Sequence, residues 1–533
     1  GFSALFANTT GDTNSAFGNY ALYSNTTAND NSAFGYNALG LNTTGTNNVA
    51  MGRNALLNNT TADNNTAVGH NSLCANTTGT QNVAIGDSAL DANTTGAENV
   101  ALGRYALTSN TTASNNTGLG RGALFANTTG TANTSVGKDS LSANTTASNN
   151  TVVGFSAGAA ITTGYQNTAL GQNALDSTTT ANHNTAIGAQ TLQANTTGYA
   201  NTAVGYNALC THSTGNSNTA VGDNAMRLTT TGTFNVAIGD NALCANTTAS
   251  SNVAIGRDSL FANTTGIDNV AVGALALDAN LAGNCNVAIG RSALTNSTMG
   301  NQTAVGGCAL FTNTTGHSNT AIGYFSSKLL TTACYTTALG REALEANTTG
   351  NSNTAIGYQS LTANTTGTEN TSIGFNAGCQ NTTGSNNAMI GNFAQSSSAT
   401  VGNEFTLGNG STNNLRCADT SISSLSDLRD KKNIEDIPHG LDYILAMRPV
   451  KFDWDTRDGT REGKKDYGFI AQELDQVEET FGNKEYTRLV SKENPEQWET
   501  DPMKTYPILI KAIQELSETN KDLKSRIEAL ENN

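Results

Sequence analysis

Apolar residues along positions 1–391 never gather into a long stripe. They come in short clusters of small and branched side chains, each closed by a glycine and separated by Asn, Thr and Ser. The closing glycine recurs at Gly18, Gly35, Gly52, Gly69, Gly86 and Gly103, and the spacing of 17 holds to Gly290. The next step, to Gly306, is 16, after which 17 resumes through Gly323, Gly340, Gly357, Gly374 and Gly391; with Gly1 there are 24 such anchors. From Gly86 a typical unit runs through Ala89-Leu90, Asn93-Thr94-Thr95-Gly96 and Asn99-Val100-Ala101-Leu102 to Gly103. A strict short period with turn residues at fixed phases predicts a stacked solenoid, in which no unit buries its apolar face alone. The unit is too short for a helical hairpin, and Val100, Ala101 and Leu102 alternate with period two, so each unit is expected to be one β-coil with short strands. Asn-Thr-Thr-Gly supplies the turn, the Asn side chain capping its own backbone and the Gly accepting positive φ. Coils hydrogen-bonded at about 4.8 Å predict a rod of roughly 110 Å.

Each coil offers about four apolar side chains, two of them alanines, which is thin against the entropy of ordering a whole coil. A second source of burial is therefore expected. The position before the last apolar residue is nearly always Ala, Ser or Gly (Ala101, Gly118, Ser135, Ala169), the pattern of backbones that approach closely, and identical chains around a shared axis supply such an approach. The run N-V-A-I-G-D-N-A, Asn235 to Ala242, resembles the head repeat of trimeric autotransporter adhesins, which form trimeric left-handed parallel β-rolls. The resemblance covers about half of each unit and the period differs from that family's. It implies a trimer and leaves the handedness open.

After Gly391 the pattern changes. Gly402 and Gly408 are followed by a polar Ser/Thr/Asn stretch to Leu425, and residues 392–425 are expected to form the cap or tip of the rod, the place where a monotonous surface ends and receptor recognition is expected. From Ser426 the periodicity is that of a small α+β domain. Leu441, Ile444 and Leu445 predict a helix that begins near Pro438 and stops before Pro449. Val450, Phe452 and Trp454 alternate as a strand, and Tyr467 to Ile470 lead from a strand into a helix at Ala471-Gln472-Glu473-Leu474. A long helix over about 506–531 closes the chain, with Leu509, Leu516, Leu523 and Leu530 at heptad d and Tyr506, Ile513, Asn520 and Ile527 at a. Such a seam predicts a coiled coil with other copies, the lone Asn520 fixing its register. The fold class is thus mainly β, a trimeric β-solenoid or β-roll over 1–391, a tip over 392–425 and an α+β domain over 426–533.

Composition sharpens the boundary at Ser426. All five prolines and both tryptophans follow it, and all eight cysteines precede it. Positions 1–425 carry 10 Lys/Arg against 18 Asp/Glu, and positions 426–533 carry 17 against 24, so balances of −8 and −7 leave no basic surface of the kind phosphate backbones require. Nucleic acid is not an expected partner. No apolar run is long enough to cross a bilayer, and the first residues lack a signal-peptide pattern. The chain opens without Met and with Gly1 already on the repeat grid, which reads as a fragment or processed chain whose N-terminal attachment region precedes it. The cysteines (Cys74, Cys210, Cys244, Cys285, Cys308, Cys334, Cys379, Cys417) show no paired spacing and read as small buried residues of a protein assembled in a reducing cytoplasm.

Little chemistry is encoded in the repeat. The Asn-Thr-Thr triplets fit the glycosylation acceptor pattern, but a turn that recurs in every coil explains them better. His70 and Cys74 have a helical metal-ligand spacing outside any helix, so no metal site is expected, and no cofactor. Acidic residues are too sparse to nominate the paired carboxylates of a glycosidase. A flat threonine face for ordering water is disfavoured by the variable neighbours.

From Ser426 onward three blocks stand in order: S-D-L-R-D-K-K-N-I (Ser426 to Ile434), G-F-I-A-Q-E-L (Gly468 to Leu474) and Y-P-I-L-I-K-A-I-Q-E-L (Tyr506 to Leu516). Together they resemble the C-terminal intramolecular chaperone of phage tail spikes and tail fibres, a self-cleaving serine peptidase family. The resemblance implies that the domain trimerises, assists folding of the β-rich fibre ahead of it and then cuts itself off. It places the nucleophile at Ser426, the base at Lys431 and the scissile bond at Leu425-Ser426. A serine hydroxyl is a weak nucleophile until a neighbour takes its proton, and lysine does so only when desolvation or positive charge lowers its pKa. Arg429 and Lys432 are expected to supply positive charge, while Asp427 and Asp430 oppose it. His439 offers a rival Ser/His dyad. The expected protein is a homotrimeric tail fibre of a virion, assembled in the host cytoplasm, that meets a glycan or protein receptor on the host surface. Two other classes compete: a glycan-degrading tail spike, and a cellular adhesin or anchored transcription regulator built on the same chaperone.

Overall fold

The computed structural model describes residues 1–412, 426–455, 462–482, 484–492 and 498–532. The chain divides into two units, Gly1–Thr349 and Gly350–Asn533. In the first, three-residue strands recur once per coil from β1 (Ser15–Phe17) to β20 (Thr337–Leu339). Each pairs in parallel with the next at the repeat spacing, as Val83↔Val100, Ala84↔Ala101 and Ile85↔Leu102. Four more coils, β21 (Thr354–Ile356) to β24 (Phe405–Leu407), open the second unit. The fold is a parallel β-solenoid followed by a small C-terminal domain.

The last coil corrects the boundary expected at 391. Ala388 pairs with Phe405 and Ile390 with Leu407, so one further coil closes on Gly408, which is itself on the 17-residue grid. The polar run at Ser396–Ser398 hides the period because the coil's ordinary Asn and Leu are absent. Of the expected tip, 413–425 lies outside the described residues.

Within a coil the middle strand residue points inward and its neighbours outward. Ala84, Ala101 and Ala237 are fully buried, whereas Ile85, Leu102 and Ile238 are exposed. The small-residue position is therefore the packed interior of a single chain and not an approach between chains. Gly118 shows why it stays small: a Cβ there meets Leu107 and the Ala123 carbonyl at 3.3 Å. The core is built from two alanines and a leucine per coil, as Ala89, Leu90 and Ala101.

Two stacks of buried asparagine complete the interior. Asn93 Nδ2 donates to Asn76 Oδ1 and to the Gly96 carbonyl, both at 2.9 Å, and Asn110 does the same to Asn93. On the other stack the Asn99 backbone N–H donates to Asn82 Oδ1 at 3.0 Å, and its Nδ2 to the Ala113 carbonyl at 2.9 Å. A buried amide is costly unless its donors and acceptor are all paired, and an in-register stack lets each copy satisfy the next. The first Asn of Asn-Thr-Thr-Gly is thus a structural residue sealed from solvent, which leaves no glycosylation acceptor at positions such as Asn93 in the folded coil. Where the stack is interrupted the orphan is visible: Asn144 Oδ1 lacks a partner because the next coil carries Ile161.

The 16-residue coil shows the same logic. Strand register passes through it unchanged, Ala288 facing Ala304. Gln302 replaces the usual Asn, and its longer side chain donates to Ser297 Oγ at 3.0 Å and to the Gly316 carbonyl at 2.6 Å while accepting from Asn313 at 2.8 Å. One extra methylene offsets one missing residue.

Turn geometry departs from expectation. Positive φ falls on the grid glycine (Gly86, 137°) and on three non-glycine residues of the coil, Ser88 at 54°, Leu90 at 56° and Glu98 at 57°, not on Gly96. Alanine stands at the Gly96 phase in Ala28, Ala62 and Ala113. A left-handed leucine costs about 1–2 kcal/mol, so most coils carry strain that their asparagines and leucine must offset, while Gly158 and Gly378 relieve it at the same phase. The cysteines are also less buried than expected. Cys244 is buried, Cys285 is exposed and Cys74, Cys210, Cys308, Cys334 and Cys379 are half-buried; Cys417 lies outside the described residues.

The C-terminal domain forms from a 3-10 turn (Leu428–Asp430), α1 (Leu441–Ala446), β25 (Val450–Asp453), β26 (Lys465–Gly468), α2 (Ala471–Phe481), α3 (Lys484–Thr487), β27 (Val490–Ser491), β28 (Glu499–Thr500) and α4 (Tyr506–Glu531). β25 and β26 pair antiparallel, as do β27 and β28. Tyr443, Met447, Leu474, Leu489 and Ile508 make the core. α4 contributes Ile508 and Ala512 to it, and Glu515 accepts the Leu441 N–H at 2.7 Å, capping α1.

Candidate active site

The segment from Ser426 to Lys431 is a single turn. Asp427 caps it by accepting the Arg429 N–H at 2.9 Å, residues 428–430 turn once, and the Lys431 N–H closes on the Leu428 carbonyl at 3.2 Å. The turn carries Lys431 Nζ back to 2.6 Å from Ser426 Oγ. The two residues expected to form the dyad are therefore hydrogen-bonded. Leu425, the other side of the expected scissile bond, lies outside the described residues.

Charge around the dyad is arranged differently from expectation. Arg429 does not act on Lys431: its Nε and Nη2 grip Asp427 at 3.0 and 2.5 Å. Those hydrogen bonds hold the Asp427 carboxyl below its ordinary range. The pair neutralises itself, so it removes both the helpful cation and one opposing carboxylate. Lys432 stays near, lining with Lys431 a cleft of about 630 Å³ walled by Ile434, Pro438, Tyr486, Met503 and Pro507. His439 lies edge-on to the Phe481 ring at 5.2 Å, and no described contact joins it to Ser426, so the rival dyad is not assembled. Ser426 and Lys431 are both exposed.

Sequence reasoning missed the residues that hold the wall of the cleft. Glu478, fully buried on α2, accepts from Thr487 Oγ1 and the Leu489 N–H, both at 2.6 Å. Asp475 receives Lys484 Nζ at 2.6 Å and Lys492 Nζ at 2.5 Å, and Lys492 lies 4.4 Å over the Trp498 ring. The cue was present, since both acids fall on the apolar side of α2 with Leu474. Elsewhere, His70 pairs with Asp87 at 3.1 Å and makes no common site with Cys74; among the described residues no group of three metal-binding side chains occurs.

Residues 426–483 match the family model of the chaperone of endosialidase, Peptidase S74. The match begins at Ser426 and takes in the dyad turn, α1, the β25–β26 pair and α2. No curated protein and no solved structure matches the chain. A parallel β-solenoid carrying an intramolecular-chaperone module at its C-terminal side defines the class: a tail-fibre-like or tail-spike-like protein. The module is of a peptidase family, and its first matched residue is the serine that Lys431 contacts.

Proposed function

We propose that the chain is a homotrimeric structural and host-recognition protein of a virion tail, whose C-terminal domain holds three chains in register, assists folding of the solenoid and cuts its own chain once at Leu425-Ser426. The observation that carries the cut is the 2.6 Å contact of Lys431 Nζ with Ser426 Oγ. Because the attacking hydroxyl belongs to the residue whose amide nitrogen leaves, the first step is an N-to-O acyl shift. Lys431, as the neutral amine, takes the Oγ proton, Oγ bonds to the Leu425 carbonyl carbon, and the C–N bond breaks as the Ser426 nitrogen gains a proton. Water then hydrolyses the ester, giving a Leu425 carboxylate and restoring the Ser426 hydroxyl. In this reading the other chains cover the exposed Lys431.

Two unpaired apolar surfaces support the trimer. Ile513, Leu516, Leu523, Ile527 and Leu530 occupy the a and d positions of α4 and are exposed, while Ile508 and Ala512 face the domain. On the solenoid, the outward strand position carries Ile85, Leu102, Leu119, Leu170 and Ile187 in register. One half-exposed branched side chain per coil over twenty coils leaves on the order of 1,000 Å² of apolar surface, beyond the largest patch of a typical monomer. Intact mass of the purified chain tests the cut: the expected product is a C-terminal fragment running from Ser426 to Asn533, absent from Ser426→Ala and Lys431→Ala. The same fragment from Ser426→Ala refutes the assignment.

A further inference from the structure

Basic residues in the solenoid are few and not scattered. Of the 10 Lys/Arg at positions 1–425, seven (Arg53, Arg104, Arg121, Lys138, Arg257, Arg291, Arg341) stand at one phase, immediately after the grid glycine. Three of them occupy consecutive coils: Arg104, Arg121 and Lys138. Coils stack at about 4.8 Å, so three cations lie within about 10 Å, close to the Debye length of about 10 Å at 0.1 M salt. They form one basic column, in which Arg104 and Lys138 each also meet a carboxylate, Asp87 and Asp139.

Stability alone does not explain the strip. Like charges directly opposite on neighbouring strands or coils oppose folding, and the same column shows the stabilising alternative one coil earlier, where Asp87 lies between His70 at 3.1 Å and Arg104 at 3.3 Å. Lys138 reaches Asp139 at 3.6 Å, but no described carboxylate lies within ion-pair distance of Arg121, the middle cation. All three are exposed. Beside Arg121 the next residue is Gly122, which is buried, with Asp139 Oδ1 2.7 Å from where a Cβ would stand. Aromatic rings border the strip. The Arg104 guanidinium lies 4.5 Å over Tyr105, Tyr105 meets Phe125 edge-on at 6.4 Å, and Lys138 lies 5.3 Å from the Phe155 ring. Phe125 and Phe155 are exposed.

We infer that the face of Arg104, Arg121 and Lys138, bordered by Tyr105, Phe125 and Phe155, is a docking strip for an acidic polysaccharide. The inference rests on the host-recognition reading and locates recognition on the side of the solenoid, not at its tip. A polymer bearing carboxylates along its length meets one cation per coil, and the aromatic faces stack on the apolar faces of its sugar rings. Nucleic acid is disfavoured because a duplex carries one charge per about 1.7 Å of its axis, whereas the strip offers about one cation per coil of about 4.8 Å.

The test uses the full chain, labelled polygalacturonate as the acidic probe, neutral dextran and a DNA duplex. Wild type is expected to retain polygalacturonate at low salt, to release it as ionic strength rises past about 0.3 M, and to ignore dextran. Arg104→Gln/Arg121→Gln/Lys138→Gln is expected to weaken retention about tenfold or more, while Arg257→Gln/Arg291→Gln/Arg341→Gln, which removes equal charge from the same column, keeps it. Equal loss in both triple variants, no loss in the first, or tighter retention of the duplex overturns the inference. So does a change in sedimentation of the first variant, which makes the strip a contact between chains. A chain that assembles and cuts but ignores the acidic polymer fails here alone; one that binds it but never cuts at Ser426 fails the functional reading and leaves the strip standing.

Discussion

His212 stands where the solenoid's inner stack ordinarily places asparagine, and it makes the coil sensitive to pH. The side chain is fully buried, its Nε2–H donates to the Gly215 carbonyl at 2.7 Å, and its Nδ1 has no partner. Protonation adds a donor and a charge where nothing receives either, so burial holds the imidazole below its ordinary pKa; the Gly215 carbonyl pulls weakly the other way. With the folded value below the unfolded one, the unfolded chain takes the proton first, and stability present above about pH 6.5 is lost as pH falls below it. From about pH 7.5 to about pH 5.5 the loss is at most about 1.4 kcal/mol per chain. His212→Asn restores a side chain that donates to the Gly215 carbonyl and offers an acceptor to the next coil, and is expected to remove this slope and add about 1 kcal/mol. The assay is the unfolding rate in guanidinium across that pH range for both proteins; the remaining histidines, being common to the two, cancel in the difference. Identical pH slopes refute the reasoning.

The same stack predicts that Asn93→Ala, which strips Asn76 and Asn110 of their partners, costs about 3 kcal/mol by denaturant midpoint, whereas exposed Thr95→Ala costs less than about 0.5 kcal/mol. Gly86→Ala is expected to cost at least about 2 kcal/mol, since its φ of 137° disfavours any Cβ and that atom lies 2.6 Å from the Gly103 carbonyl. Gly96→Ala is expected to cost less than about 1 kcal/mol, although a Cβ added without adjustment lies 2.2 Å from the Ala113 carbonyl, because Ala113 itself stands at this phase; equal costs at both glycines refute the assignment of roles. Ile513→Asp with Leu523→Asp is expected to abolish trimers in sedimentation while the Tyr443 core, on the opposite side of α4, still folds. Through cycles of denaturant, uncut Ser426→Ala is expected to recover its solenoid and the cut wild type not to, and equal recovery counts against a chaperone role.

What was legible in the sequence is what repeats. The 17-residue grid set register and every coil but the last, and the 3.6-residue and heptad patterns placed α1, α2 and α4 within a few residues. The Ser426–Lys431 pairing was also reachable, since one turn capped by Asp427 spans the gap. Less legible was which way a side chain points. Val-Ala-Leu alternation is the same whichever set faces inward, and with an interior only wide enough for alanine the branched residues go out. Nor does a run of charges state its pairing: Asp427 chose Arg429 over Lys431 because two residues of separation across a capped turn give a bidentate grip.

That inversion changes how the chain's stability is divided. A coil whose leucine sits in the left-handed region and whose interior is alanine and stacked amide gains little from hydrophobic burial on its own. Its asparagine bonds are satisfied only when the next coil is already in register, so a partly zipped solenoid exposes orphaned amides at its growing end and pays for them before the following coil arrives. Folding is therefore slow to start and reluctant to pause, which is the situation in which a separately folding domain that fixes register has most effect. The C-terminal domain suits the task because its core around Tyr443 is independent of the asparagine stacks, while the free face of α4 is available to other chains. In the proposed trimer, coils from three chains cover one another's branched side chains, so unfolding has to break many contacts at once, and the lifetime of the proposed assembly is set by that barrier and not by the equilibrium of any one coil.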